Sequence, residues 1–251
     1  MPFPTGFIAD VLPFLAVGFI AQMIDGSLGM AYGVSSSTLL LSLGVPPSAA
    51  SASVHMSEVF TTAVSGIAHW RAGNVDKSIM TRLILPGILG GVVGAYILTN
   101  TPGDFIRPII SLYLLWMGIL ILFRAWRDQP KKNTDAPLIP LALAGGFFDA
   151  VGGGGWGPIV TTTLVARGQL PRTTIGSVNA SEFFITFAES IAFLLTIGIS
   201  HVHVIVGLIV GGVLAAPLGA ILCKKIPCRA LMFIIGVVII GLSIRTILLA
   251  L

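Results

Sequence analysis

Apolar runs succeed one another at about 7–24, 30–43, 51–70, 83–99, 106–123, 138–150, 156–166, 174–197, 203–222 and 230–250, separated by short polar or glycine-rich joints. A helix crossing about 30 Å of hydrocarbon takes roughly 20 residues, and most of these runs are long enough. Runs 138–150 and 156–166 are short, and both abut Gly152–Gly155. The pattern predicts two half-helices meeting near mid-membrane, as a broken helix or a re-entrant hairpin. Runs 7–24 and 30–43, joined through Asp25, Gly26, Ser27, Leu28 and Gly29, are their counterparts in the first half.

That correspondence is a repeat. Residues 25–62 align with 149–186 without a gap, at a constant offset of 124, with 13 identities in 38 positions. Among the identical pairs are Asp25/Asp149, Gly29/Gly153, Gly33/Gly157, Pro47/Pro171, Ser53/Ser177, Ser57/Ser181 and Glu58/Glu182. A glycine-interrupted apolar segment in equivalent places of two halves is the sequence pointer to a transporter's binding site. The expected architecture is an all-α polytopic membrane protein of two inverted repeats, each a glycine-broken hairpin plus about three transmembrane helices. Its parts are residues 1–124, a linker 125–137, and residues 138–251, forming one integrated membrane domain.

The third run breaks the apolar pattern in a periodic way. Ser51, His55, Glu58, Thr62, Ser65 and His69 recur at spacings of 4, 3, 4, 3 and 4, which places all six on one helical face. In the second half Asn179, Glu182, Thr186 and Glu189 form the matching stripe. A carboxylate at mid-span costs at least about 2.5–3.5 kcal/mol against lipid, so both stripes must face protein or a water-filled path. Glu58 and Glu182 have two readings, which the sequence leaves open: acceptors for backbone N–H groups freed by the broken helices, or proton carriers. His55 aligns with Asn179, so only one half offers a titratable ring there, a candidate for gating or substrate contact. Asp25 and Asp149 precede the glycine turns and read as caps of the following half-helix, with a cation site as the sharper alternative.

Composition agrees with the membrane reading. The chain is 55% hydrophobic and 10% charged, with mean hydropathy +0.98, against roughly 25% charged residues in soluble domains. Met1 to Gly6 carry no basic residue, so the first run lacks the basic flank of a cleaved signal peptide and is expected to stay in the fold. The net charge of +4 reports orientation before it reports nucleic acid, for which nothing else argues. If each broken unit returns to the side it entered, twelve of the fourteen basic residues share one face, Arg107 falls on the other, and Arg245 lies near the end of the last span. By the positive-inside rule that face is cytoplasmic, with the linker there and both termini outside. Trp70 and Trp126 sit at the cytoplasmic span ends, where indoles favour the headgroup layer. Cys223 and Cys228, with no histidine nearby, read as free thiols. No metal and no cofactor is expected, and the chain is compatible with a homo-oligomer.

The glycine run 152–155 is too rich in glycine to be helix. Half-helices starting at Gly29–Gly33 and Gly153–Gly157 from opposite sides would bring two positive dipole ends to mid-membrane and bind an anion with neutral atoms. Candidate binding residues are Gly29, Gly33, Ser53, His55, Ser57, Gly153, Gly154, Trp156, Ser177, Asn179 and Ser181. Asp25, Glu58, Asp149, Glu182 and Glu189 are candidates for structural or coupling roles. No nucleophile–base set for an intramembrane enzyme is evident.

The residues Gly18 to Gly26, Gly29 and Gly33, then Gly44, Pro47, Ser53 and Glu58, resemble the sulfite exporter TauE/SafE family, also called the toluene sulfonate uptake permease family. Gly145, Gly146, Asp149, Gly152–Gly155, Gly157, Pro158, Pro171, Gly176, Ser177, Asn179 and Glu182 fit its second repeat. The resemblance implies transport of a sulfur oxyanion or organosulfonate, such as sulfite, sulfoacetate or a taurine-derived anion. It leaves substrate and direction open. Export is favoured by an inside-negative potential of about 2.3 kcal/mol per charge per 100 mV. Import of this or another small solute would need protons or sodium, with Glu58, Glu182, Glu189 and His55 the buried carriers on offer.

Overall fold

Every apolar run becomes helix. A computed structural model of the chain describes residues 5–28, 30–126, 137–199, 201–222 and 228–250; Gly29, most of the linker, Lys131, Lys132 and Cys223 lie outside the described residues. The first half contains α1 (Thr5–Leu28), α2 (Tyr32–Ser42), α3 (Pro47–Arg71), α4 (Lys77–Thr99) and α5 (Gly103–Trp126). The second contains α6 (Leu138–Gly152), a π-helical turn Gly157–Thr161 that runs into α7 (Thr162–Ala166), α8 (Pro171–Ile197), α9 (Val202–Leu222) and α10 (Cys228–Ala250). No strand occurs among the described residues.

The helix starts follow from local chemistry. Pro47 and Pro171 occupy the first turns of α3 and α8, where a missing N–H does no harm. The Asp76 carboxylate caps α4, accepting from Ser78 N at 2.8 Å and Ile79 N at 3.2 Å.

The molecule is apolar outside and carries buried polar stripes within an otherwise apolar interior. Leu85, Tyr96 and Leu112 are 62–65% exposed, while Ser57, Ser181, Thr186 and Glu189 are fully buried. So much exposed apolar surface calls for lipid around it. Four stretches are long and apolar enough to cross a membrane, Ala9–Gly26, Lys77–Thr99, Gly103–Trp126 and Pro171–Ile197. At 25 residues α3 is long enough, but its polar stripe lowers its hydropathy, and it lies inside the bundle with fourteen residues buried.

The two halves interdigitate. The N-terminal helix α1 packs on α9, and its repeat mate α6 packs on α4; α3 packs on α8, and α5 on α10. Glycines mark the closest approaches and give the running directions. Gly207 lies against Val11 and Phe14 and Gly211 against Leu15 and Phe19, so α1 and α9 are parallel. Gly90 faces Leu143 and Gly94 faces Ala150, so α4 and α6 are parallel as well. Gly118 meets Ile240 while Gly236 meets Leu122, so α5 and α10 are antiparallel. The repeat mates α3 and α8 are also antiparallel, with His55 opposite Glu189 and Ser65 opposite Asn179. Two arginines converge on the end of α2: Arg107 donates to Leu41 O at 2.7 Å and Arg245 to Ser42 O at 2.5 Å, where the last carbonyls and a negative dipole end favour a cation.

Candidate functional site

The site begins where α6 stops. Gly153 (φ +66°) and Gly154 (φ +150°) take backbone conformations that side chains disfavour, and the chain reverses there into the π-helical turn. Asp149 holds this reversal: its Oδ1 accepts from Gly155 N at 2.6 Å and Trp156 N at 2.9 Å. In the first half Asp25 accepts from the backbone N–H of Tyr32, the mate of Trp156. Ala31, the mate of Gly155, holds φ +89°, an uncommon conformation for a residue with a Cβ. The candidate Gly29 lies outside the described residues.

The two broken segments meet. Gly33 at the start of α2 lies against Gly153 and Gly154, and a methyl group on Gly154 would run into the backbone of Gly33 and Val34. Hydroxyls close the crossing: Ser37 donates to Gly153 O, Ser51 to Ala150 O at 2.6 Å, and Tyr113 to Gly154 O at 3.1 Å. Trp156 is fully buried in a slot floored by Gly87 and Gly145, and its indole N–H donates to Val178 O at 3.3 Å.

Beside the crossing lies a titratable cluster. His55 Nε2 is 2.9 Å from Glu189 Oε2 and 3.5 Å from Asp149 Oδ2, with all three side chains 0–2% exposed. The other ring nitrogen is 2.7 Å from Ser51 O, which it meets as a donor; that bond leaves Nε2 to face the carboxylates. Glu189 is admitted by Gly91, whose missing Cβ would collide with the carboxylate. Glu58 is buried next to Gly33, and Glu182 is buried on the facing helix. The carboxyls of Asp25, Glu58, Asp149, Glu182 and Glu189 lie within electrostatic reach of one another.

Thus Gly33, His55, Gly153, Gly154 and Trp156 come together with Asp149, Glu189 and Glu58. The repeated serines do not join them. Ser53 donates to Ala49 O and Ser57 to Val54 O, each within its own helix, with Ser57 also accepting from the Tyr32 hydroxyl at 3.2 Å, and Ser181 donates to Val178 O. Ser177 is occupied by Thr173 O and by the N–H of Asp76 at 2.8 Å, beside the start of α4. Helical rotation explains this: a residue two positions from Ser51 and His55 points roughly to the opposite face. Asn179 accepts from Ser65 at 3.0 Å and donates to Ile175 O. Ser37, Ser51 and Tyr113 border the crossing in place of the serines picked from sequence. Ser51 was legible as part of the stripe, whereas Tyr113 carries no signal in an apolar run. A separate cavity of about 420 Å³ lies among α3, α8 and the start of α9, lined by Met56, Val59, Phe60, Phe187 and Ile191. It is apolar and holds none of the candidate residues.

Comparison with known proteins gives this geometry a context. The family model described as sulfite exporter TauE/SafE matches residues 14–246. The chain is 43% identical over 246 residues, 94% of its length and 82% of the relative's, to the "Probable membrane transporter protein YtnM" of Bacillus subtilis (strain 168). It is 28% identical over 174 residues, 65% of each chain, to the "Probable membrane transporter protein ORF9" of Sinorhizobium sp. No solved structure matches it. Buried polar stripes, lipid-facing apolar surface and the family match agree, and the chain belongs to the sulfite exporter TauE/SafE family of membrane transporters.

Proposed function

We propose that this transporter moves a small sulfur-containing anion, sulfite or a short organosulfonate, across the cytoplasmic membrane, with export the direction the membrane potential favours. The observation that carries this reading is the meeting of two glycine-broken segments, Gly33–Val34 against Gly153–Gly154. The start of α2, set against the glycine turn that opens the π-helical segment, offers N–H groups and a positive dipole end to an anion. Asp25 and Asp149 already engage the N–H groups of Tyr32, Gly155 and Trp156. The substrate is left with those of Gly33, Val34 and Gly157, beside the Ser37 hydroxyl, which donates to Gly153 O and borders the place. Several donors converging on one small acceptor group select compact oxyanions.

The running directions support an inverted repeat. If α3 starts outside, antiparallel α8 ends outside, α9 starts there, and parallel α1 starts there too, so the α1–α2 unit returns to its own side. Residues 1–124 and 138–251 are then related by a two-fold axis in the membrane plane, the segment 125–137 is cytoplasmic, and both termini are exterior. Labelling of a single cysteine at position 132 from each side checks this; exterior reactivity would sink it.

For the substrate, the purified protein in proteoliposomes should exchange labelled sulfite or a short sulfonate, with efflux of the sulfite dianion accelerated by an inside-negative potential. The same anions should raise its melting temperature in detergent. Transport or stabilisation by a cation, with no response to any anion, would refute the reading.

A further inference from the structure

We infer that His55, Glu189 and Asp149 form the proton-binding site of this transporter, and that a proton bound there crosses together with the anion. The inference rests on the transport reading above and deepens it by assigning the coupling ion and its seat; with one proton a sulfite dianion still leaves with net charge −1, whereas a monoanionic sulfonate moves electroneutrally.

Three observations carry it. First, the geometry joins three ionisable groups: the imidazole Nε2 faces Glu189 at 2.9 Å and Asp149 at 3.5 Å, and Glu189 has no other polar partner among the described residues. Second, the repeat supplies an internal control. The mates of His55 and Glu189 are Asn179 and Ser65, and these form a neutral hydrogen bond of 3.0 Å at the other end of the same helix pair. A bridge between α3 and α8 therefore needs no charge, yet only one end carries titratable groups. Third, Asp149 ties the cluster to the broken helix: Oδ1 holds the N–H groups of Gly155 and Trp156, while Oδ2 faces His55.

Charge accounting gives the mechanism. With no proton the three groups carry −2, with one −1, and with two they are neutral. The titratable groups that face them from neighbouring elements are the carboxyls of Asp25 on α1, Glu58 on α3 and Glu182 on α8, and the phenol of Tyr113 on α5. No lysine or arginine is among them. An anion entering the crossing meets carboxylate repulsion in a buried site, where charges are poorly screened. A proton from water that forms an O–H bond on Glu189 or Asp149 lowers that repulsion by one unit of charge, and its release to the opposite side restores it. The proton and the anion thus favour each other's binding reciprocally.

The test uses methanesulfonate in proteoliposomes, because it stays ionised across the pH range and cannot cross as a neutral acid. With one coupled proton, steady-state accumulation should rise tenfold for each unit of pH gradient at fixed potential, and an internal pH dye should report proton entry with the sulfonate. Glu189→Gln and His55→Asn, the latter copying the natural mate Asn179, should flatten that dependence. If the variants fail to fold, the wild-type gradient response and the dye signal still decide. Sulfonate flux that ignores the pH gradient overturns the inference while leaving the transport reading intact, as does flux that follows an added divalent cation. If neither sulfonate nor sulfite moves, the substrate reading fails. The coupling site then stands or falls on infrared titration of the purified protein: a protonated-carboxyl band that shifts with pH and is lost in Glu189→Gln supports it, and an absent or unchanged band overturns it.

Discussion

The contact between α3 and α8 has two ends related by the repeat, and they differ in charge but not in position. At one end His55 meets Glu189 at 2.9 Å; at the other Asn179 meets Ser65 at 3.0 Å. The neutral end teaches what architecture alone demands of the site, a polar link between two buried helices. The ionisable end exceeds that demand, and its surroundings have changed to suit. Where the bulky Glu189 enters, α4 carries Gly91; the mate of Gly91 on α9 is Ala215, itself fully buried. The aspartates differ as well, since Asp149 holds two backbone N–H groups and faces His55, whereas Asp25 holds Tyr32 N–H.

The largest contrast should appear at those aspartates. Asp149→Ala leaves two buried N–H groups without their acceptor and strips His55 of a carboxylate neighbour. Breaking a buried charged network of this kind costs about 3–5 kcal/mol. Asp25→Ala loses one such bond and should cost about 1–3 kcal/mol. Thermal unfolding in detergent should therefore show Asp149→Ala markedly less stable, or unable to fold, with Asp25→Ala intermediate. Equal losses would mean that both carboxylates serve only as caps and that the two halves are energetically alike.

A smaller effect tests the packing around Glu189. A methyl group at Gly91 meets the Glu189 carboxylate and its stem, and overpacking of a filled core costs about 1–3 kcal/mol. The reciprocal change, Ala215→Gly, removes one methyl group and adds helix-backbone freedom, for about 0.5–1 kcal/mol. Gly91→Ala should lower the melting temperature more than Ala215→Gly. Its combination with Glu189→Ser, which copies the natural mate Ser65, should recover part of the loss. Failure of the second change to rescue the first would show that Gly91 serves backbone approach and not the carboxylate.

The sequence made the helices, the repeat and the broken segments legible because each leaves a periodic or compositional trace. Apolar runs mark the helices, an offset of 124 pairs the halves, and glycine clusters interrupt α1–α2 and α6–α7. The polar stripes marked His55, Glu58, Glu182 and Glu189 as inward-facing because helical spacing is local information. The pairing of His55 with Glu189 was not legible, since it depends on the antiparallel register of two helices 134 positions apart at that contact. Identity between repeats did not reveal where each serine's hydrogen bonds go. A serine shared by both halves reports a shared structural duty, and Ser177 performs one by binding Asp76 N.

The smallest contrast follows from those serines. Ser37 donates to Gly153 O at the crossing, while Ser177 bridges Thr173 O and Asp76 N at the start of α4. Losing a hydrogen bond of either kind costs about 0.5–1.5 kcal/mol, so Ser37→Ala and Ser177→Ala should lower the melting temperature by similar small amounts. Their effects on the anion should diverge. Removal of Ser37 frees the carbonyl of Gly153 and takes a hydroxyl from the place assigned to the substrate, so the concentration of sulfite needed for half-maximal stabilisation should rise several-fold. Removal of Ser177 alters the entry to α4, away from the crossing, and that concentration should stay where it is. If Ser177→Ala weakens sulfite while Ser37→Ala does not, the anion sits nearer the repeated serines than the glycine crossing, and the site moves toward the loop between α3 and α4.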